Sequence, residues 1–505
     1  MNAPAPIWDD ALAALPAAWL QGRRWFQAKS ASVAAVRCLD VLELTPYAAP
    51  PAGATALVVA EVVMADGAAD RYLLPLALEP PGAPPAEEAF HVAAGWRVRE
   101  ALGVPAVHTA LMRLMDARKE VPGRAGTFRG ESFPVRALRQ SRPLAQTSTN
   151  SLVLVKGDAV LKYFRRLQPG ESIELEVNRF LLAHGDFVHM PPLTGALGWR
   201  DAEGTEHTLL MTQLFVESAG DLWHTTQEFL GGVLDELAVR PTADAAAVMA
   251  ARSEEYFRGV RRLAEILAHL HGTLGTATGN PRFDPEPIRP EDLARWSRWM
   301  EDNALAIFDR IAPLAPGENP EMREFFRRFP RQRERILTAF GRLASLRPEG
   351  WFKCRVHGDF HLGQVLDTRG DFLLMDFEGE PLKPAALRVA KYSPLKDVAG
   401  LLRSYNYAIY AALFAARERY HLSPETFAAW EELLRFWNRR AENLFLDSYW
   451  SAAGTERSPD LSAFLSLLKL EKAVYELDYE INNRPAWLPI PMSGIGTCLE
   501  EVTHA

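Results

Sequence analysis

The sequence predicts an α+β protein whose strands crowd the first half of the chain and whose helices fill the second. Three observations carry this. Between residues 34 and 79, three apolar, β-branched runs follow one another, "AAVRCLDVLELT", "TALVVAEVVMA" and "DRYLLPLALE", each with the length and composition of a strand. From about Asp221 onward apolar residues recur at helical spacing, as in "YFRGVRRLAEILAHLHGTLG", which ends on glycine. One stretch, "CRVHGDFHLGQVL" followed by "DFLLMDFEGEP", breaks this helical half with loops and short strands, the setting in which site residues usually sit.

The elements follow in order. Residues 1–88 open with an amphipathic segment, "DDALAALPAAWLQGRRWF", and continue as the strand-rich part. The segment Glu79–Ala89, "EPPGAPPAEEA", has the composition of a linker and marks a seam. Residues 89–217 hold a helical stretch, then "TFRGESFPVRAL", the polar loop "AQTSTNS", a hairpin around "KGD" in "LVLVKGDAVLKYF", a helix "IELEVNRFLLAHG" and a late strand "HTLLMTQLFV". That helix carries Val177, Phe180 and Leu181 on one face. Residues 218–505 form the helical remainder.

A chain of 505 residues, 48% hydrophobic and 24% charged, can bury two or three real cores. Its net charge of −8 comes with Lys and Arg spread along the chain, so nothing in it suggests a nucleic-acid or anionic-membrane surface. A polyanionic ligand must therefore meet a local cationic site. The three cysteines are odd in number and never form C-x-x-C, so neither a disulfide framework nor a thiolate zinc site is indicated, and a reducing cytoplasm fits. No basic leader and no apolar run of about 18 residues points to export or a membrane anchor.

The motif "HGDFHLGQ" admits two readings. As H-x-D-x-H it is a zinc or iron site, because imidazole and carboxylate are common ligands. As H-G-D with an amide five residues on, it is a phosphoryl-transfer loop, in which Asp359 takes the hydroxyl proton and Gln364 holds magnesium. Context selects the second: the next acidic residue, Asp376, follows the strand-like "FLLM" and precedes "FEG", the place of the magnesium-binding aspartate of protein kinases. Magnesium prefers oxygen ligands, so a glutamine carbonyl serves, and ATP phosphates complete its shell. His357 is read first as a structural hydrogen-bonding residue of the catalytic loop and second as a direct participant. For His361 the sequence leaves packing and substrate contact both open.

The other parts of a kinase are sought upstream. Lys162 in "AVLKYF" fits the strand lysine that grips nucleotide phosphates, and Glu176 the helix glutamate that positions it, with Glu174 as the nearby substitute. No glycine-rich phosphate loop is present. Its place is held by "AQTSTNS", where Ser148 and Thr149 offer hydroxyls and amides to phosphate oxygens. The order strand lysine, helix glutamate, late strand and catalytic loop supports the kinase reading, which calls for a bilobal protein-kinase-like fold with a mainly helical C-lobe.

The blocks "VHGDFHLGQVL" and "LLMDFEGEP" resemble the aminoglycoside-phosphotransferase-like kinases. The resemblance narrows to bacterial maltokinases through "WLQGRRWFQAKS", "VLKYFRRLQPGESIELEVNRFL", "LFVESAGDLW", "KDVAGLLRSYNYA" and "EKAVYELDYEINNRPAWLPIPMSGI". It implies a cap (1–88), an intermediate N-lobe-like subdomain (89–217) and a helical C-lobe with the sugar site (218–505). It implies adenine held by backbone at Phe215, Val216 and Glu217, and sugar contacts from His361, Glu378, Arg403, Tyr475, Tyr479, Asn483, Arg484 and Trp487. The implied reaction moves the γ-phosphate of ATP, with Mg2+, to the anomeric hydroxyl of maltose. The product, maltose 1-phosphate, feeds α-glucan synthesis, and a trehalose synthase-type enzyme is the implied partner. Glucosamine or another amino sugar is the alternative acceptor, and a nucleotide-binding scaffold the non-enzymatic one. Two blocks depart from the maltokinase pattern: "QTSTNS" in the phosphate loop, and Asn406 where an aspartate is expected, which bears on the acceptor.

Overall fold

The computed structural model describes residues 6–29, 31–45, 54–80, 89–91, 96–132, 140–143, 150–156, 159–240, 244–312, 320–380 and 383–504. The chain divides into two compact units, one of residues 1–179 with 191–216, the other of residues 180–190 with 217–505.

The first unit begins with helices α1 (Pro6–Ala13) and α2 (Ala17–Gln21). The single amphipathic segment expected here is split because Pro16 sits in extended backbone ahead of α2 and cannot continue a helix. Strands β1 (Val33–Thr45), β2 (Ala54–Met64) and β3 (Ala69–Glu79) coincide with the three apolar runs and form an antiparallel meander. Strands β4 (Phe90–His91) and β5 (Arg97–Glu100) return to pair beside β3 in the order β1-β2-β3-β5-β4. The Pro-rich stretch read as a seam therefore connects two strands of one sheet. Trp25 and Phe26 of "RRWF" are fully buried against this sheet with Trp8 and Tyr72, because their apolar rings cover what would otherwise be an open sheet face.

After helix α3 (Pro105–Asp116) a second antiparallel sheet follows: β6 (Glu120–Pro122), β7 (Thr127–Ser132), β8 (Gln140–Pro143), β9 (Ser151–Lys156), β10 (Ala159–Tyr163), β12 (Leu193–Arg200) and β13 (Glu206–Leu214), in the order β6-β7-β12-β13-β10-β9-β8. β9 and β10 form the expected hairpin, with Val155 opposite Ala159. The two sheets are tied together inside this unit. The short β11 (Arg166–Leu167) pairs with β3 of the first sheet. The buried Arg165 guanidinium lies 4.1 Å over the Trp25 ring and 2.5 Å from Glu100. Across the unit, Asp40 accepts the Trp199 indole N–H at 2.8 Å and the Arg124 backbone N–H at 2.6 Å.

Helix α4 (Ile173–His184) and then the helices of the second unit complete the chain: α5 (Leu222–Val239), α6 (Ala245–Leu274), α7 (Pro290–Ile311), α8 (Pro320–Gly341), α9 (Ala385–Arg388), α10 (Leu395–Tyr420), α11 (Pro424–Ala453), α12 (Pro459–Asn483) and α13 (Pro489–His504). Caps are spelled in the sequence: Asp221, Asp244, Ser423 and Ser458 accept first-turn N–H groups, and Gly454 closes α11 in the left-handed region. Five short strands interrupt the helices. β14 (Gly220–Asp221), β17 (Val365–Asp367) and β18 (Phe372–Leu374) make one small sheet, β15 (Glu286–Pro287) and β16 (Phe352–Lys353) another. Among the described residues no helix is long and apolar enough to cross a membrane.

Candidate active site

In the first unit, β10 seats Lys162 between Met211 of β13 and Leu152 of β9. Its Nζ lies 2.6 Å from Glu174 Oε2, with the lysine side chain 11% and the glutamate 3% exposed. The glutamate paired with Lys162 is thus Glu174, the substitute named beside Glu176. Residues two apart on a helix point to opposite sides, and the buried face of α4 runs through Glu174, Val177, Asn178 and Leu181. Asn178 Nδ2 donates to the Glu174 carbonyl at 2.8 Å. Ser148 and Thr149 lie outside the described residues. After β13 the chain leaves Phe215 and Glu217 exposed and Val216 half-buried.

In the second unit, the catalytic loop is held from behind by Asp397 at the start of α10. Its two carboxylate oxygens accept the backbone N–H groups of His357 and Gly358, each at 2.8 Å. His271 Nε2 donates to the same carboxylate at 3.1 Å and takes the Tyr449 hydroxyl on Nδ1. Burial opposes the charge on Asp397, yet His271, His357 and the Gly358 N–H together hold its carboxyl below the usual range. His357 Nε2 donates to the Met375 carbonyl at 2.7 Å, so the ring ties the loop to the segment ahead of Asp376. Gly358 stands at φ 87°, and a Cβ there would meet the Gly379 Cα at 3.2 Å. The glycine between histidine and aspartate is needed for both reasons.

Asp359, 22% exposed, faces Lys472 Nζ at 3.6 Å. Lys472 also reaches Glu380 at 3.0 Å. Burial works against its ammonium, but Glu380 and Asp359 outweigh it and raise the pKa above the ordinary lysine value. Burial likewise opposes the charge on Glu380, and Lys472, Lys396 and Lys383 hold its carboxyl at about 2. His361 caps the short turn Leu362–Gln364, accepting the Gly363 N–H on Nδ1 at 3.1 Å. Burial lowers its pKa against the pull of Asp359, which keeps the imidazole neutral.

The β17–β18 hairpin explains how Gln364 and Asp376 meet. Pairing of Val365 with Leu374 puts the residues just outside the strands side by side, and Gln364 Nε2 comes within 3.5 Å of Asp376 Oδ2. Asp376 takes the left-handed backbone, φ 63°, and its carboxylate lies within 4.8 Å of that of Glu378. An amide and two carboxylates are an all-oxygen donor set, which suits a hard cation such as magnesium.

Along α12 and just beyond it, the expected sugar-side residues gather. The Tyr475 ring lies 5.1 Å from Lys472 Nζ. Tyr479 is exposed, and the Arg484 guanidinium, paired with buried Glu480 at 2.6 Å, spans the rings of Trp487 at 4.3 Å and Tyr479 at 5.5 Å. Asn483 is exposed but its amide donates to the Tyr479 carbonyl of its own helix. Arg403 is a correction: only 3% exposed, it is committed to Glu476 at 2.5 Å and to Asn406 at 3.1 Å, with Gly494 packed against it. Its guanidinium is thus already paired rather than free to take a sugar hydroxyl. It anchors α12 from behind. Sequence reading missed Lys472, Glu380, Asp397 and His271. Lys472 alone left a usable signal, lying three residues before Tyr475 and hence on the same helix face.

Comparison with known proteins follows this geometry. Residues 19–118 match the family described as "Maltokinase N-terminal cap domain". The chain is 26% identical over 395 residues to a glucosamine kinase of Mycolicibacterium smegmatis, covering 77% of this chain and 88% of that protein. It is 27% identical over 368 residues to a glucosamine kinase of Streptacidiphilus jiangxiensis, covering 71% and 74%. A solved glucosamine kinase in complex with glucosamine, ADP and inorganic phosphate superposes with a TM-score of 0.63 at 23% identity, covering 97% of this chain and 98% of that one. A second crystal form gives 0.66 at 22% identity, covering 98% of this chain and 100% of that one. Residues 19–118 thus match a cap domain of the maltokinase type, and the chain as a whole shares the fold of these glucosamine kinases.

Proposed function

We propose that the protein is an ATP-dependent sugar kinase that phosphorylates the anomeric hydroxyl of maltose to give maltose 1-phosphate. The observation that carries the kinase reading is the loop in which Asp397 fixes the backbone before Asp359 while the β17–β18 hairpin sets Gln364 beside Asp376. Asp359 accepts the proton of the sugar hydroxyl as its oxygen attacks the γ-phosphorus. The bond from that phosphorus to the bridging oxygen breaks, and ADP leaves. Gln364 and Asp376, with Glu378 near, would hold magnesium, which when bound neutralises charge on the phosphates. Lys162, set by Glu174, offsets phosphate charge, and Phe215 to Glu217 supply backbone to the adenine. Because the transition state of phosphoryl transfer is loose, positioning and charge do most of the work.

The cap match and the rings of Tyr475, Tyr479 and Trp487 support a neutral sugar, since a sugar face packs well on aromatic rings. A second reading, glucosamine as acceptor, is favoured by the two glucosamine kinase relatives. The test is magnesium-dependent ATP consumption with maltose, glucosamine, glucose, kanamycin and no acceptor in parallel, with the product identified by phosphorus NMR. Maltose-dependent turnover to an anomeric phosphate is expected. Turnover with glucosamine alone would move the substrate and keep the mechanism, and silence with every acceptor would sink the enzymatic reading.

A further inference from the structure

A cavity of about 670 Å3 opens in the second unit between α5, α6 and the β17–β18 hairpin. None of its lining residues belongs to the phosphoryl-transfer or sugar-side groups described above. One wall is aromatic: Phe229 and Tyr256 stack at 4.7 Å and 24°, backed by Trp437 at 5.6 and 5.2 Å. The Tyr256 hydroxyl is spent inward on Thr226 and Tyr405, so the ring is held firmly in place.

The lining also carries four arginines, Arg252, Arg258 and Arg262 of α6 and Arg369 of the β17–β18 turn, with Arg258 and Arg369 exposed. Two are already engaged, Arg252 with Glu236 at 2.8 Å and Arg262 with Asp371 at 3.0 Å. The guanidiniums of Arg258 and Arg369 have no ion-pair or hydrogen-bond partner among the described residues. Two acids also line the cavity. Asp367 accepts the Arg369 backbone N–H at 2.8 Å, and Glu255 lies one helical turn before Arg258. Neither forms an ion pair with the two free guanidiniums among the described residues. Arg369 is held at φ 60°, a left-handed position that a long side chain rarely takes without compensation.

We propose that this cavity binds a phosphorylated ring compound, a sugar phosphate or a nucleotide, with the phosphate on Arg258 and Arg369 and the ring against Phe229 and Tyr256. Planar guanidiniums match phosphate oxygens in pairs, an aromatic face accepts either kind of ring, and the volume lies within the range of small-molecule sites, about 300–1,000 Å3. A bare phosphate ion would leave the aromatic wall uncovered. The relation of this cavity to the active site rests on the sugar-kinase reading. The cavity wall includes Asp367 and Phe372, three residues after Gln364 and four before Asp376. A ligand bound here would therefore contact the hairpin that carries the two groups assigned to magnesium.

The test is calorimetric titration of the full chain, free of other nucleotides, using glucose 6-phosphate, adenosine 5′-monophosphate and inorganic phosphate as separate probes, with a double variant distinguishing this cavity from any other site. One ring compound should bind, at least tenfold more weakly to the Arg258→Ala/Arg369→Ala double variant and severalfold more weakly to Phe229→Leu. Both variants should keep wild-type circular dichroism and ADP affinity. Which of the two ring compounds binds identifies the source. No binding by either, equal binding to the double variant, or inorganic phosphate binding as tightly as both would overturn the proposal. The binding readout does not involve an acceptor sugar, so failure of the kinase assay and failure of this site are separable.

Discussion

The two ends of the candidate site in the second unit differ in how much of their polar chemistry is already committed. At the catalytic loop, Asp397 uses both oxygens on loop amides and a histidine, His357 ties across to Met375, and Lys472 bridges Asp359 and Glu380. At the C-terminal end of α12, Tyr479 stands exposed and Arg484 lies over Trp487 in a half-open arrangement. A group whose partners fix it before substrate arrives can serve a reaction that tolerates little misplacement. Rings and side chains left accessible can discriminate among ligands. Under the proposed function, the first end would carry the chemistry and the second the choice of acceptor.

The largest effect should fall at the committed end. Asp359→Asn should lower kcat by roughly 10²–10⁴-fold, the usual range for a lost general base, while ATP affinity measured by calorimetry stays near wild type. Unchanged turnover would break the contrast at its root. Asp376→Asn should weaken magnesium-dependent nucleotide binding by about tenfold or more, because a carboxylate is a far better magnesium ligand than an amide. A wild-type ATP titration would remove Asp376 from that role.

A smaller effect concerns the supporting charges. Glu380 falls from 4.5 to about 2 on folding, so its contribution to stability is fully present above pH 4.5 and is lost as pH falls toward 2. Glu380→Gln should therefore flatten the acid limb of the unfolding curve between those values and lower the melting temperature at pH 7. An identical pH dependence would show that Lys472 finds another partner. The smallest effect belongs to the open end. Trp487→Ala should raise KM for the acceptor by about two- to tenfold, the scale of one aromatic contact, and leave kcat and ATP binding largely alone. A fall in kcat of the size expected for Asp359→Asn would mean that the two ends are not separable.

Much of this could be read before folding. The three strands β1 to β3, the hairpin of β9 and β10 and the helical second half follow from local period and composition, which depend on residues near one another in sequence. The choice of Glu174 over Glu176 was also within reach, since Glu174 precedes Val177 by three and Leu181 by seven, on the face already marked as inward. Other features were not. The strand-rich region reaches across its Pro-rich stretch because β4 and β5 find unpaired edges of the sheet, and nothing local specifies that pairing.

By itself the sequence determined the α+β class, the strands and helices, and the compact block from His357 to Asp376, because each depends on spacing along the chain. Only tertiary structure decided that Asp397, 40 residues after His357, clamps the loop from behind. It likewise set Lys472 beside Asp359 and paired buried Arg403 with Glu476. These depend on the packing of α10 against α12, and which long-range partner a buried charge must find is fixed by the cost of leaving it unpaired in the folded core.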